Sequence, residues 1–472
     1  MAANRYPVTP EYLPLQVKKA TRIVEIDAAI NKFLPIPHDH PFYVDLSRHR
    51  GETVRAEVFD TLNVSGPLDD LTYDHRHNVF NKTRLFLAGM RGSGKTSELD
   101  SYAAYLHRPN CFFVVTCNVD IGLDTQNIEY MDIVIFQLKE LTEKLAQENV
   151  PIEDDAIVDL NRWFEEKIRE INIEVENEAG AKVELGGDTD FPFSVTGALK
   201  KLLGISLNLT YALKGTHKRQ STVRKVIRNN FPQYAARFNR FIEEVNLALR
   251  QSGKGREVLF IIDGIEKTMT AAQRRKIIID ESNRIQSISV NTIFTLPIEL
   301  RKEEDYIKHS ADVIAFPFVQ IVDRQGNPQS GAWNKMREVI LARIDQSLFE
   351  DTKTLDQIIQ YSGGDVRQTF IIIEKARLYI PDGSQQLTAS SIAKAAKLLG
   401  NRMARNIEST EWEELVRCHN MLEKGIPIEP NPAQWMLLEK NFLMEYNDMT
   451  HKRVNPLLEI SDLYQYKVHG RI

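Results

Sequence analysis

The apolar residues 84–88 run straight into Gly89-Met90-Arg91-Gly92-Ser93-Gly94-Lys95-Thr96, and a helical pattern follows through Leu106. A short buried strand, a glycine-rich turn and a helix leave the chain little conformational choice at this point. The glycines let successive backbone N–H groups turn inward, and the helix adds its positive N-terminal end. Such a loop cradles phosphates. Gly89, Arg91, Gly92, Ser93, Gly94, Lys95, Thr96 and Ser97 are therefore the expected nucleotide-binding residues. Lys95 supplies a point charge to the β- and γ-phosphates, and the Thr96 hydroxyl is a magnesium ligand. The cofactors expected are ATP and Mg2+.

Further short apolar runs at 111–116, 258–262, 291–295 and 313–316 alternate with helical patterns such as 130–148. That alternation predicts an α/β fold, a parallel sheet with helices on both faces. Asp263 closes its run; a carboxylate at the carboxyl end of a strand beside the loop strand can complete the magnesium shell, or it simply caps a helix. Glu266 is the candidate general base, able to polarise a water toward the γ-phosphate, or else a solvated glutamate at a helix start. Thr295, at the tip of the next strand, is either a γ-phosphate sensor or a plain strand former. Arg367 follows Gly363-Gly364 at the start of a helix, where it can reach the γ-phosphate from a lid or make a surface salt bridge. Arg301 is the weaker candidate for an arginine offered to a neighbouring subunit.

The gap between the second and third runs is too long for one crossover, so a segment is inserted at about 150–250. It is charge-split. Acidic residues outnumber basic ones 13 to 4 over 153–190, while 191–241 carries ten Lys and Arg and no acid. Either the halves pack together with charges compensating, or the basic half docks a partner or nucleic acid. Within it, 205–211 alternates like a strand, and 235–249 reads as an amphipathic helix.

Residues 1–78 form an N-terminal segment with prolines and one helical pattern over 20–33. The core spans 79–325, and helices over 326–405 form a lid. From 406 to 472 the pattern is helix, helix, hairpin: a capping box at Thr410 and Glu413, a stop at Gly425, a start at Pro432, and a hairpin turning at Asn447-Asp448. That is the outline of a winged helix.

With 472 residues, 42% hydrophobic and 26% charged, the chain reads as a multidomain globular protein. A net charge of -5 opposes non-specific coating of nucleic acid, without excluding a local basic face. Cys111, Cys117 and Cys418 lack zinc-site spacing and read as buried thiols in a reducing compartment. His38 and His40 complete no metal set and read as loop residues. No apolar leader or span is legible, so a cytoplasmic location without membrane contact is expected.

These motifs together resemble the AAA+ and STAND group of P-loop ATPases, including the NACHT and origin-recognition types. The matches are Gly89–Thr96, the segment Ile261-Ile262-Asp263-Gly264-Ile265-Glu266, the polar end of the fourth strand, and Gly363-Gly364-x-x-Arg367. The stretch Arg91 to Leu99 is similar to bacterial ATPases whose loop reads Arg-Gly-Ser-Gly-Lys-Ser/Thr-x-Glu-Leu. The resemblance implies an oligomerising ATPase switch with an effector partner, of a type often found in defence against phages. It departs at Gly264, where motors of the group carry glutamate, so slow hydrolysis is implied. A DNA-handling ATPase and an ATP-bound scaffold are the rival readings.

Overall fold

The computed structural model describes residues 18–30, 35–51, 53–74, 82–176, 197–268, 270–303, 307, 311–428, 431–447 and 451–470. Residues 1–17, the end of the acidic half, the first residues of the basic half and the turn residue Asp448 lie outside them.

Strands β1 (Arg84–Gly89), β2 (Phe112–Asn118), β3 (Glu257–Asp263), β4 (Asn291–Pro297) and β5 (Asp312–Ala315) form one sheet. Their order is β2-β3-β4-β1-β5. β2 and β3 pair in parallel with Asn118 opposite Asp263, and β3 and β4 pair in parallel with Leu259 opposite Asn291. Every residue of β3 and β4 is buried, as expected of strands covered on both faces. The order corrects one expectation. The Asp263 strand is not the neighbour of the loop strand; β4, which carries Thr295, lies between them.

By compactness the chain divides into two units. The first comprises Val58–Leu87 and Tyr105–Val313 and holds the inserted segment. Following α1 (Lys95–Leu106), the helices here are α2 (Tyr130–Gln147), α3 (Asp154–Glu176), α4 (Gly197–Leu213), α5 (His217–Asn229) and α6 (Phe231–Ser252). The expected strand at 205–211 is thus part of helix α4. Leu202, Leu203, Ile205, Leu209, Ala212 and Leu213 are buried at helical spacing. The intervening polar residues stay inside the helix because Ser206 and Thr210 donate back to Leu203 O and Ser206 O, at 2.9 and 2.8 Å. The alternation read from the sequence came from hydroxyls that a helix hides.

Charges of the two halves meet. Lys201 pairs with Glu165, and Arg237 Nε lies 3.3 Å from Asp159. Arg224 is buried, its Nε 2.8 Å from Asp132 Oδ1, so it is a packing residue and not part of a basic surface. Arg228 pairs with Glu129.

The second unit comprises residues 1–57, 88–104 and 314–472. Helices α7 (Ser330–Leu341), α8 (Thr352–Ser362), α9 (Val366–Ala376) and α10 (Ala389–Ala404) build an apolar core. Met336, Ile340, Ile358, Ile359, Phe370 and Ile392 belong to it, with Ile26 and Ile30 from the N-terminal segment. α11 (Ser409–Glu423) is capped by Glu408 and Glu411 rather than by Thr410 and Glu413. Glu411 is buried and takes both the Glu408 N–H, at 2.9 Å, and Lys440, and this fixes the helix start two residues earlier. α12 (Pro432–Glu439) starts on its proline with Asn431 as cap, and β6 (Leu443–Tyr446) pairs antiparallel with β7 (His451–Val454). Burial pulls the His451 imidazole down to about 4, and Lys452 Nζ donates to Ile428 O at 3.2 Å. Two basic residues of the hairpin are therefore interior. All three cysteines are buried free thiols.

Candidate functional site

The phosphate loop is built as its sequence requires. Gly92 and Gly94 take φ of +88° and +92°, which only glycine adopts without strain, and they turn the loop's amides into one concave nest. Lys95 is buried, its ammonium donating to Gly89 O and Met90 O, both at 2.9 Å. Thr96 is the second residue of α1, whose first amides have no partner within the helix. This donor set, a cation, a hydroxyl and a nest of N–H groups, fits a magnesium-bound triphosphate. The Ser97 hydroxyl accepts the Ile36 N–H at 2.9 Å, serving the N-terminal segment.

Two residues lie behind the loop: Arg50, which no motif marks, and Glu98, the glutamate of the Arg91–Leu99 stretch. Arg50 is buried, donates to Pro317 O at 3.2 Å and lies over the Phe316 ring, 4.9 Å from its centroid. Its Nη2 would be 2.8 Å from a Cβ on Gly94, so the guanidinium rests directly against the loop. Glu98, three residues after Lys95, is buried, and burial raises its carboxyl to about 7 against the pull of Arg50. Nothing in the local pattern marks Arg50, because its partners are Gly94, Phe316 and Pro317, far along the chain.

The turn Gly363-Gly364-Asp365 meets the same loop. A Cβ on Gly92 would lie 3.2 Å from Asp365 Oδ1 and 3.3 Å from the Arg367 Cβ. The structure therefore brings Arg367 to the loop. It also brings Asp365, which caps α9 by accepting Gln368 N–H at 2.9 Å. Burial raises the Asp365 carboxyl to about 6. Since that is above the ordinary value of 3.8, its contribution to stability is complete below about pH 4 and is lost as pH rises through about 6. Asp365→Asn keeps a good cap and removes the charge. The variant should lose this pH dependence in thermal melts. At pH 8 it should also bind ATP about fivefold more tightly, for a screened repulsion of about 1 kcal/mol. Thermal melts and calorimetric titration, each at pH 5 and pH 8, check the two effects; an unchanged affinity at pH 8 places the carboxylate away from the phosphates.

In the other unit, the acidic candidates gather at the carboxyl ends of β2 and β3. Asp263 and Glu266 are both buried, the latter on the one-turn helix Ile265–Lys267 rather than in solvent. Thr295 is buried, and its hydroxyl accepts the Gly264 N–H at 3.2 Å, tying the tip of β4 to the turn after Asp263. Gly264 has φ +95°, and a Cβ there would meet Asp120 Oδ1 at 2.9 Å and Asp120 N at 3.1 Å. The left-handed backbone, more than the space around it, favours glycine at 264. Arg301 is buried. His40 Nδ1 accepts the Phe42 N–H at 3.0 Å, as a loop residue does. Among the described residues no group of three or more His, Cys, Asp and Glu is arranged to hold a metal. Magnesium at a phosphate site draws most of its ligands from water and phosphate oxygens, so such a site needs no cluster of protein ligands. Among the described residues no helix is long and apolar enough to cross a membrane.

The chain matches no known family profile, and no curated protein matches it. Among solved structures, the Walker-type ATPase PABY2304 of Pyrococcus abyssi is similar at 13% identity and a TM-score of 0.35, over 89% of this chain and 98% of that one. So low a likeness neither supports nor opposes a function.

Proposed function

We propose that this chain is a magnesium-dependent ATPase in which the lid reports nucleotide state to the C-terminal helices. Lys95 and the loop amides hold the triphosphate, Thr96 and Asp263 hold magnesium, and Glu266 directs a water at the γ-phosphate. Hydrolysis is slow, and the nucleotide acts as a switch on assembly of the chain with itself and with an effector protein. A winged-helix arrangement of α11, α12 and the hairpin is part of this reading; its buried His451 and Lys452 speak for a role in packing rather than in touching DNA.

One observation carries the reading. The turn Gly363-Gly364-Asp365 lies against Gly92 on one side and is held by the C-terminal hairpin region on the other. Tyr446 Oη donates to Gly363 O at 2.5 Å, Asn441 Nδ2 to Asp365 Oδ2 at 3.3 Å, and Gln368 Nε2 to Asn455 Oδ1 at 3.1 Å. A γ-phosphate that draws Arg367 inward moves a turn to which these groups are bonded. A ligand shifts such an equilibrium only by its differential affinity, and one charge-assisted contact of about 1.5–3 kcal/mol gives roughly a ten- to hundredfold shift.

Limited proteolysis and mass photometry with ADP and with a slowly hydrolysed ATP analogue test it. Wild type should change its cleavage pattern and mass between the two nucleotides. Arg367→Ala should bind ADP normally, bind the analogue less tightly and lose the change. Identical wild-type patterns in both nucleotides remove the switch, and identical changes in both proteins remove Arg367 as its sensor.

A further inference from the structure

The end of β2 carries an ion pair that the proposed chemistry has not yet used. Asp120 lies in the short helix Val119–Gly122, directly after β2, and its Oδ2 is 2.6 Å from Lys267 Nζ. Lys267 ends the one-turn helix that also carries Glu266. Its ammonium is held in the charged form first by Asp120 and then by the fields of Asp263 and Glu266, against the effect of burial. The other oxygen of Asp120, Oδ1, lies 2.9 Å from the point that a Cβ on Gly264 would take. Asp120 thus holds the far end of the turn 264–267 through Lys267 and stands close to its Gly264 end. Three residues are too few for a helix to hold its own shape, since nucleation is unfavourable without outside contacts. The orientation of Glu266 on that turn therefore depends on what clamps it.

We propose that Asp120 and Lys267 are a positioning pair that fixes the direction of the Glu266 carboxylate, and so set the rate of ATP cleavage rather than the affinity for ATP. The inference rests on the reading of Glu266 as the base. Lys267 contributes in two ways. Its stem and ammonium tie the turn to β2, and its charge sits beside carboxylates that otherwise repel one another. Neither role requires contact with the nucleotide.

The test is steady-state hydrolysis of MgATP by the full chain, with binding of a slowly hydrolysed ATP analogue measured in parallel. A displacement of about 1 Å in a reacting group costs roughly a hundredfold, so Lys267→Met and Asp120→Asn should lower kcat about 10- to 100-fold. KM and analogue affinity should stay within about twofold of wild type, the signature of an interaction realised only in the transition state. Lys267→Arg should restore most of kcat, because the charge and the reach to Asp120 return. Melting temperatures separate a loosened turn from a damaged fold, and the exchanged pair Asp120→Lys with Lys267→Asp should recover part of the rate lost in each single variant. Unchanged kcat in Lys267→Met overturns the pair while leaving the ATPase reading intact. So does a parallel loss of affinity and rate, or a failure of arginine to rescue. A wild type that binds ATP without cleaving it removes Glu266 as a base and the positioning pair with it.

Discussion

Lys95→Ala should abolish ATP binding at concentrations that saturate wild type. The ammonium already lies on the loop, donating to the carbonyls of Gly89 and Met90, so a phosphate needs only to draw it a short way to gain it. Two charge-assisted contacts to β- and γ-phosphate oxygens are worth about 1.5–3 kcal/mol each, a loss of about a hundredfold or more in affinity. The same truncation opens no core, because the side chain packs along a turn. The melting temperature should move by no more than about 2–4 °C, the shift expected for roughly 1 kcal/mol. Equilibrium binding of a fluorescent ATP analogue, paired with a thermal melt, separates the two effects. Equal affinity in the variant would mean that the loop does not hold the triphosphate.

Local features of the sequence were legible and relational ones were not. The loop, the strands on either side of it and the helix stop at Gly363 follow from residues adjacent in sequence, where glycine, a charged residue and an apolar run each have one physical meaning. The neighbour of the Asp263 strand could not be read that way, because strand order depends on pairings across long separations. Helix α4 was misread for a related reason: Ser206 and Thr210 satisfy their hydroxyls within the helix, so polarity at alternate positions did not mark a solvent face. Arg50 and Asp365 were missed as site residues because they act through what they touch. Arg50 sits in a segment without periodicity and meets Gly94 only in the folded unit. Asp365 has the sequence signature of an ordinary helix cap, which it is, and its second role comes from Gly92 lying beside it. The charge of Arg224 counts toward the basic half in the sequence, while its partner Asp132 is hidden until the chain folds.

Glu266→Gln should keep ATP bound and slow its cleavage about 10²- to 10⁴-fold, the usual loss when a general base is removed. The amide has the size of the carboxylate, so the buried turn that carries Glu266 is not opened. Asp263→Asn should fail differently. A neutral amide is a poor ligand for a hard cation, so the gain in ATP affinity that magnesium brings should shrink, and turnover should fall with it. Measuring affinity with magnesium and with chelator, and cleavage in a single turnover, gives each variant its own signature: rate without affinity for Glu266, magnesium dependence and rate together for Asp263. The roles exchange if Glu266→Gln loses the magnesium effect. If Glu266→Gln cleaves ATP at the wild-type rate, the water is activated by the phosphate itself, and the buried carboxylate serves only the turn on which it sits.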